Sequence, residues 1–201
     1  MNSFSLEDAI IGRRTCRSFD ERIVAFGSIQ KLLWAAQGVT DKSGKRTTPS
    51  AHALYPLRLV VAIANVEGHE PGIYRTVGQL ERLELVRRGD VRGELQAAAL
   101  EEQPWIGEAA AIISICADFA RPARDFAEQP PFGRRGSRYV YIEAGAAAQN
   151  MQLKAVAEGL GCVLVAGFKD EATAEVLRLA SPLAPILHIC VGWPKVNLGD
   201  G

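Results

Sequence analysis

The chain has 201 residues, 48% of them apolar and 23% charged, with 23 basic side chains balanced by 23 acidic ones. A folded chain of this mass buries about 70% of its extended surface, so one well-filled core is possible and intrinsic disorder is excluded. The lack of a basic excess argues against nucleic acid as the main partner, and the longest apolar run, 109–117, is far short of the ~20 residues of a membrane span.

In chain order, a first helix is expected over 6–12, with Ser5 as its N-cap and Asp8 as the acidic partner of a capping box. A second helix is expected over 28–37, where Ile29, Leu32, Leu33 and Ala36 make one face and Gly38 is the stop. Residues 41–50 read as loop. Residues 57–64 read as a strand too apolar to have a wet face, hence a buried one. Residues 72–75 and 83–86 read as a short hairpin or edge element, followed by a helix over 91–100 and a second central strand over 109–117. Two Pro-rich points with Gly133 and Gly136 predict an extended loop over 121–138. The longest helix is expected over 139–158, with Ile142, Ala146, Gln149, Leu153, Val156 and Ala157 on one face and Gly159 just past its end. A strand over 162–166, a helix over 170–179 with Asp170 as N-cap, and a strand over 186–191 complete a single mixed α/β domain spanning 1–201.

The amino terminus has no basic region followed by an apolar stretch and does not read as a signal peptide. Cys116, Cys162 and Cys190 sit in apolar runs, where a thiol behaves as a small hydrophobe, and no C-x-x-C spacing occurs. A reduced, cytoplasmic protein is the simplest expectation.

Three segments could carry chemistry. Arg13, Arg14 and Arg17 crowd around Thr15 just past a helix end; arginines fork onto phosphate or carboxylate oxygens, although a solvated basic turn would look the same. In 48–56 small residues precede a strand and suggest a backbone that approaches something flat or bulky; His52 alone reads as structural. At the carboxyl end of a strand, where open α/β sheets place ligands, Gly167 would let a ring approach the main chain, or would serve as a plain turn glycine. Cys16 among the arginines reads as a bystander. The chain has no dinucleotide fingerprint, P-loop, G-x-S-x-G elbow or H-E-x-x-H, and its histidines and cysteines show no metal-ligand spacing.

Nearly the whole chain, in order, resembles the nitroreductase superfamily of FMN-dependent oxidoreductases. The resemblance runs from Arg13-Arg14-Thr15-Cys16-Arg17-Ser18-Phe19 through Pro49-Ser50-Ala51-His52-Ala53-Leu54-Tyr55-Pro56 and Pro71-Gly72-Ile73-Tyr74. It continues with Gly133-Arg134-Arg135-Gly136-Ser137-Arg138-Tyr139, Glu143-Ala144-Gly145, Ala148-Gln149-Asn150, Gly159-Leu160-Gly161, Ala166-Gly167-Phe168 and Val191-Gly192-Trp193-Pro194. It is closest to the short branch that includes the azoline-oxidising dehydrogenases of ribosomal-peptide maturation.

The resemblance implies an α+β, nitroreductase-like fold with a central mixed sheet flanked by helices. It also implies a homodimer whose interface contains the long helix, where the small residues Ala144 to Ala148 suit close approach. FMN would lie between the subunits, with Arg13, Arg14, Thr15 and Arg17 on its phosphate, ribityl chain and N1/O2 edge. Pro49, Ser50 and Ala51 would line the flavin from the other subunit, and the backbone N–H groups of Ala166 and Gly167 would face N5. Lys195 is the only candidate for the late basic residues that the family often places on the phosphate. The implied reaction is ping-pong: NADH or NADPH gives hydride to flavin N5, and a nitroaromatic, quinone-like or other small acceptor takes it. No catalytic side chain and no metal are required, and His52 and Trp105 are expected at the rim of the acceptor slot.

Two positions depart from the branch. Pro131-Phe132 stands where a Lys-Tyr pair commonly precedes the glycine, and neither residue can move a proton, which argues against azoline oxidation. His52 stands where the branch usually has glycine and should narrow the slot. The alternatives are a flavin-dependent dehydrogenase or oxidase acting on a biosynthetic intermediate, and a flavin-binding dimer without turnover.

Overall fold

Ser5 opens α1 (Leu6–Gly12) in the computed structural model, which describes residues 4–78 and 82–195. Its hydroxyl accepts from the Asp8 N–H at 3.1 Å, and Asp8 Oδ2 accepts from the Ser5 N–H at 2.9 Å, the reciprocal pair of a capping box. The next helix, α2 (Phe26–Gln37), begins two residues earlier than expected and buries the Ile29, Leu32, Leu33 and Ala36 stripe. Gly38 ends it with an ordinary negative φ of −62°; glycine is needed there because a Cβ would lie 2.3 Å from Trp34 Cδ1.

Among the described residues six strands form one sheet: β1 (Leu57–Ile63), β2 (Gly72–Val77), β3 (Arg82–Arg88), β4 (Ala111–Asp118), β5 (Gly161–Val165) and β6 (Leu183–Gly192), in the order β3-β2-β1-β4-β6-β5. Every ladder is antiparallel, which corrects the expected mixed sheet. The link between β5 and β6 shows one cause. Its helix, α7 (Asp170–Val176), is about 10 Å long and cannot carry the chain back along a strand of about 30 Å, so β6 returns beside β5 in the opposite direction.

The sheet is covered on both faces. Leu57, Leu59, Val61 and Ile63 of β1 face a core shared with α2 and α6 (Arg135–Ala157). Val60 and Ala62 face the other layer, which contains Val91, Ile106, Phe168 and Leu177, with Leu95 from α3 (Arg92–Ala98). Trp105, half-buried against this second core, begins α4 (Trp105–Glu108), a single turn without a sequence signal of its own.

Three further expectations are corrected. The stretch 121–138 is not an extended loop: α5 (Ala120–Asp125) occupies its start and α6 takes in its last four residues. Gly136 is compatible with the helix because it fits against the Pro122 carbonyl, from which a Cβ would be only 2.4 Å away. Asp170 does not cap α7; Lys169 holds the N-cap position without a side-chain bond. The face named for the long helix is largely its outer one. Ile142 is 62% exposed, whereas Val140, Ala144, Ala147, Ala148, Met151 and Ala155 are buried. An alanine-rich helix carries two apolar stripes, and close packing on α2 and the sheet selects the one with the smaller side chains.

One buried polar pair gives the core a pH dependence. His188 on β6 and Ser114 on β4 are both buried, 2.8 Å apart (Nδ1 to Oγ), with the Phe168 ring 4.5 Å from the imidazole. Burial pushes the His188 pKa down to about 4, whereas an unfolded histidine titrates near 6.5. The unfolded chain therefore binds the proton more tightly. The contribution of neutral His188 is complete above pH 6.5 and is lost as pH falls toward 4, by about 3 kcal/mol. Urea unfolding at pH 7.5 and 4.5 should show this loss, and His188→Gln should flatten the difference.

Candidate functional site

The arginine segment lies along an edge of the sheet. Thr15 bridges Cys162 in parallel register, and the Cys16 N–H donates to the Cys162 carbonyl at 2.9 Å. Residues 13–17 thus run beside β5 and in its direction. Gly161 makes this approach possible, since a Cβ there would stand 2.6 Å from Cys16 Sγ.

The three arginines are not equivalent. Arg14 Nη1 donates to the carbonyls of Ile11 at 2.8 Å and Arg13 at 2.9 Å, so it satisfies the carboxyl end of α1. Among the described residues, the side chains of Arg13 and Thr15 meet no hydrogen-bond or ion-pair partner. The Arg17 guanidinium has none either, and lies over the Trp105 ring at 5.3 Å. The Trp105 indole Nε1 is buried without an acceptor. Arg13 and Arg17 are cations whose donors are unused among the described residues, and Arg17 is further set by its stacking on Trp105.

At the carboxyl end of β5, Ala166 is exposed and Gly167 half-buried. The Gly167 carbonyl accepts from the Leu100 N–H and from Gln103 Nε2, both at 3.0 Å. Its own N–H finds no acceptor among the described residues. Neither a positive φ nor crowding explains the glycine, because a Cβ would meet nothing nearer than Gln103 Nε2 at 3.7 Å. A free N–H beside an open Cα suits an external planar group that approaches the main chain.

The Pro49-Ser50-Ala51 segment is fastened from beneath by α6. Asn150 Nδ2 donates to the Thr47 carbonyl at 3.3 Å and to Thr48 Oγ1 at 3.2 Å. One face seven residues earlier carries Glu143, 3% exposed, whose carboxyl is pushed up by burial against the pull of Ser50, Gln37 and Arg46. Arg46 Nη1 donates to Gln37 Oε1 at 2.9 Å and its guanidinium stacks over the Tyr55 ring at 4.6 Å. Ser50 Oγ accepts from the Tyr55 N–H at 2.9 Å. Above this support, His52, Ala53 and Tyr55 take φ values of 53°, 51° and 47°. Each left-handed non-glycine residue costs about 1–2 kcal/mol, a strain that folded proteins retain chiefly at working sites.

The expected residues therefore form two groups. Arg13, Thr15, Arg17, Trp105, Ala166 and Gly167 gather around β5. Pro49, Ser50, Ala51 and His52 lie elsewhere, against Glu143 on α6, whereas the end of α1 meets α6 at Val156. Those two helix positions are about 20 Å apart along the axis. Lys195 is brought close to the first group by its N–H bond to the Ser18 carbonyl at 3.1 Å. It is exposed and lines a cleft of about 720 Å³ together with Asp20, Glu21 and Glu108.

The supporting residues Glu143, Asn150 and Gln103 are absent from the expected site. Only Glu143 and Asn150 left a trace in the sequence, as polar residues seven apart on an otherwise small, apolar helix face. The buried cysteines are not thiolates: burial pushes Cys162 up to about 11, Cys116 to about 12 and Cys190 further still. Among the described residues, no three His, Cys, Asp or Glu side chains gather as a metal-binding group, and no helix is long and apolar enough to cross a membrane.

Known proteins share the sequence pattern and the fold of this chain. Residues 10–193 match the family model described as "Nitroreductase family". A nitroreductase-like protein of Methanocaldococcus jannaschii is 35% identical over 192 residues, covering 96% of this chain and 92% of that one. A nitroreductase-like crystal structure from Ralstonia eutropha JMP134 superposes with a TM-score of 0.79 at 27% identity, over 98% of this chain and 86% of its own. A chain of the Escherichia coli microcin synthetase McbBCD complex, solved with truncated pro-MccB17 bound, reaches 0.73 at 25% identity, over 92% of this chain and 70% of its own.

Proposed function

Because this chain belongs to the nitroreductase family of oxidoreductases, we propose that it is a single-domain, FMN-dependent enzyme that passes electrons from NADH or NADPH to a small acceptor. The observation that carries this reading is the run of unused donors along β5, from Arg13 through Thr15 and Arg17 to the free Gly167 N–H. That set matches a ligand with a phosphate at one end and a flat, electron-accepting ring at the other.

Bound there, FMN supplies a ring that accepts hydride at N5 and releases it to an acceptor such as a nitroaromatic or a quinone. Arg13 and Thr15 hold the phosphate and ribityl chain through charge-assisted hydrogen bonds. Arg17, stacked on Trp105, meets the N1/O2 edge, where reduction accumulates negative charge. Gly167 offers its N–H toward N5. Arg14, already engaged with the end of α1, assists mainly through its charge, and Lys195 adds a more distant cation.

The second group belongs to a two-fold assembly in this reading. A protomer's own Ser50 is about 20 Å along α6 from its arginine segment, so Pro49, Ser50 and Ala51 of the partner subunit line the flavin. The exposed apolar side chains support a homodimer. Leu6, Ile10, Ile11 and Trp34 are each more than half exposed, and a groove of about 340 Å³ lies between α1, α2 and α6.

A second reading, a flavin dehydrogenase acting on a peptide-derived intermediate, is favoured by the likeness to the microcin synthetase chain and opposed by Pro131-Phe132. Anaerobic absorbance spectra before and after NADH and then NADPH test the first. A flavin band that bleaches is expected. A band that persists shifts the assignment to the dehydrogenase or to a binding protein, and no band after incubation with FMN overturns the cofactor.

A further inference from the structure

His52 follows directly on Ala51, and its surroundings differ from those of an ordinary surface histidine. Its φ of 53° and the 51° of Ala53 are values that glycine would adopt without strain, yet the chain holds an imidazole there. Nδ1 lies 3.4 Å from Asp125 Oδ2 at the end of α5. A carboxylate only accepts, so this contact selects the tautomer with hydrogen on Nδ1. Nε2 has no protein partner among the described residues. The ring packs 4.6 Å from Phe126, which is 2% exposed and itself held 4.7 Å from Tyr139 at the start of α6. Even so, the His52 side chain is 59% exposed.

An imidazole backed by a fixed aromatic ring and oriented through Nδ1–H leaves its Nε2 lone pair open to take up a solvent proton, and the imidazolium so formed, with Asp125 facing its Nδ1–H, has the geometry of a proton donor. Pro131 and Phe132, on the segment that follows Phe126, can supply no proton. We infer that His52 protonates the electron acceptor, with Asp125 as its positioning residue. This rests on the flavin reading above. With a nitroaromatic acceptor, the nitro group gains one hydride, originating from the nicotinamide and delivered by the flavin, and one proton from Nε2 of the His52 imidazolium. An N–O bond breaks, the nitroso product and water leave, and solvent returns the proton to Nε2. Asp125 keeps its hydrogen bond to Nδ1 throughout.

The test separates the two half-reactions in the FMN-loaded enzyme by anaerobic stopped-flow absorbance, with 4-nitrobenzoate as the acceptor. His52→Gly removes the imidazole and the backbone strain together, so its fold is secure, and His52→Gln keeps most of the bulk. Both should retain FMN, and their reduction by NADH or NADPH, which needs no proton donor, should change no more than a few-fold even where the smaller side chain widens the slot. Reoxidation by 4-nitrobenzoate should slow roughly a hundredfold in both, and added imidazole should restore part of the rate in His52→Gly. Asp125→Asn should slow the same step less. In ¹⁵N-histidine spectra it should also weaken the Nδ1–H preference of His52, a readout independent of turnover. Unchanged reoxidation in His52→Gly alongside normal flavin reduction overturns the donor role while leaving the flavin reading intact. A wild-type protein that binds no FMN, or whose FMN no nicotinamide reduces, overturns the reading and this inference with it.

Discussion

Replacing Arg13 and Arg17 together by alanine should leave a folded protein that no longer retains FMN through purification. Both residues flank Thr15 where the backbone runs beside β5, their guanidinium groups have no hydrogen-bond or ion-pair partner among the described residues, and Arg17 lies over the Trp105 ring at 5.3 Å. Their removal therefore breaks no hydrogen bond or ion pair among the described residues, and apart from the Arg17–Trp105 stacking the cost falls on the bound anion. A hydrogen bond to a charged group contributes about 1.5–3 kcal/mol, so each single variant should weaken FMN binding about 10- to 100-fold, and the pair about a thousandfold. Arg14→Ala is the internal comparison. Its Nη1 already serves the Ile11 and Arg13 carbonyls, so it should lose about 1 kcal/mol of stability and far less of its FMN affinity. Fluorescence titration of apoprotein with FMN measures all four constants. If the double variant binds like wild type, the arginines hold something other than this cofactor.

Gly167→Val should abolish flavin seating with little effect on the fold. The nearest atom to a Cβ at this position is 3.7 Å away, an ordinary contact, and the Gly167 carbonyl bonds to Leu100 and Gln103 involve only its main chain. The added methyl groups occupy the open side on which the ring must approach the N–H. Thermal unfolding of the apoprotein should change by about 1 kcal/mol or less, whereas FMN affinity should fall by more than tenfold, with Gly167→Ala in between. Gly161→Ala should behave differently. Its Cβ would stand 2.6 Å from Cys16 Sγ and 2.8 Å from Cys16 Cβ, so the arginine segment must leave β5 and stability falls together with FMN binding. Wild-type affinity in Gly167→Val would place the flavin elsewhere.

These two glycines, six residues apart, look alike in sequence, and their different consequences come from what the tertiary fold sets against each. The same holds for the arginines. Three in five residues announce an anion site, but the local pattern does not show that Arg14 turns back onto the end of α1 while Arg13 and Arg17 keep their donors free.

Short-range free energies made much of the chain legible. The Ser5–Asp8 capping box, the Ile29-Leu32-Leu33-Ala36 stripe, the apolar strand beginning at Leu57, and Gly159, whose φ is 72°, each follow from interactions within a few residues, and all stand where the sequence places them. The family resemblance of the ordered motifs is likewise a property of the sequence alone. Packing decided the rest. Alanines make both faces of α6 nearly equivalent, so only close contact with α2 and the sheet chose Ala144, Ala147 and Ala148 for the interior and left Ile142 outside. The prolines around residues 121–138 obscured α5, which is stabilised by packing on α6 rather than by helix propensity. The His52–Asp125 approach joins residues 73 positions apart, and no local energy specifies it. Such contacts form only when the whole core is assembled, which is why the sequence announces the elements and the tertiary structure decides which of their side chains remain free to act.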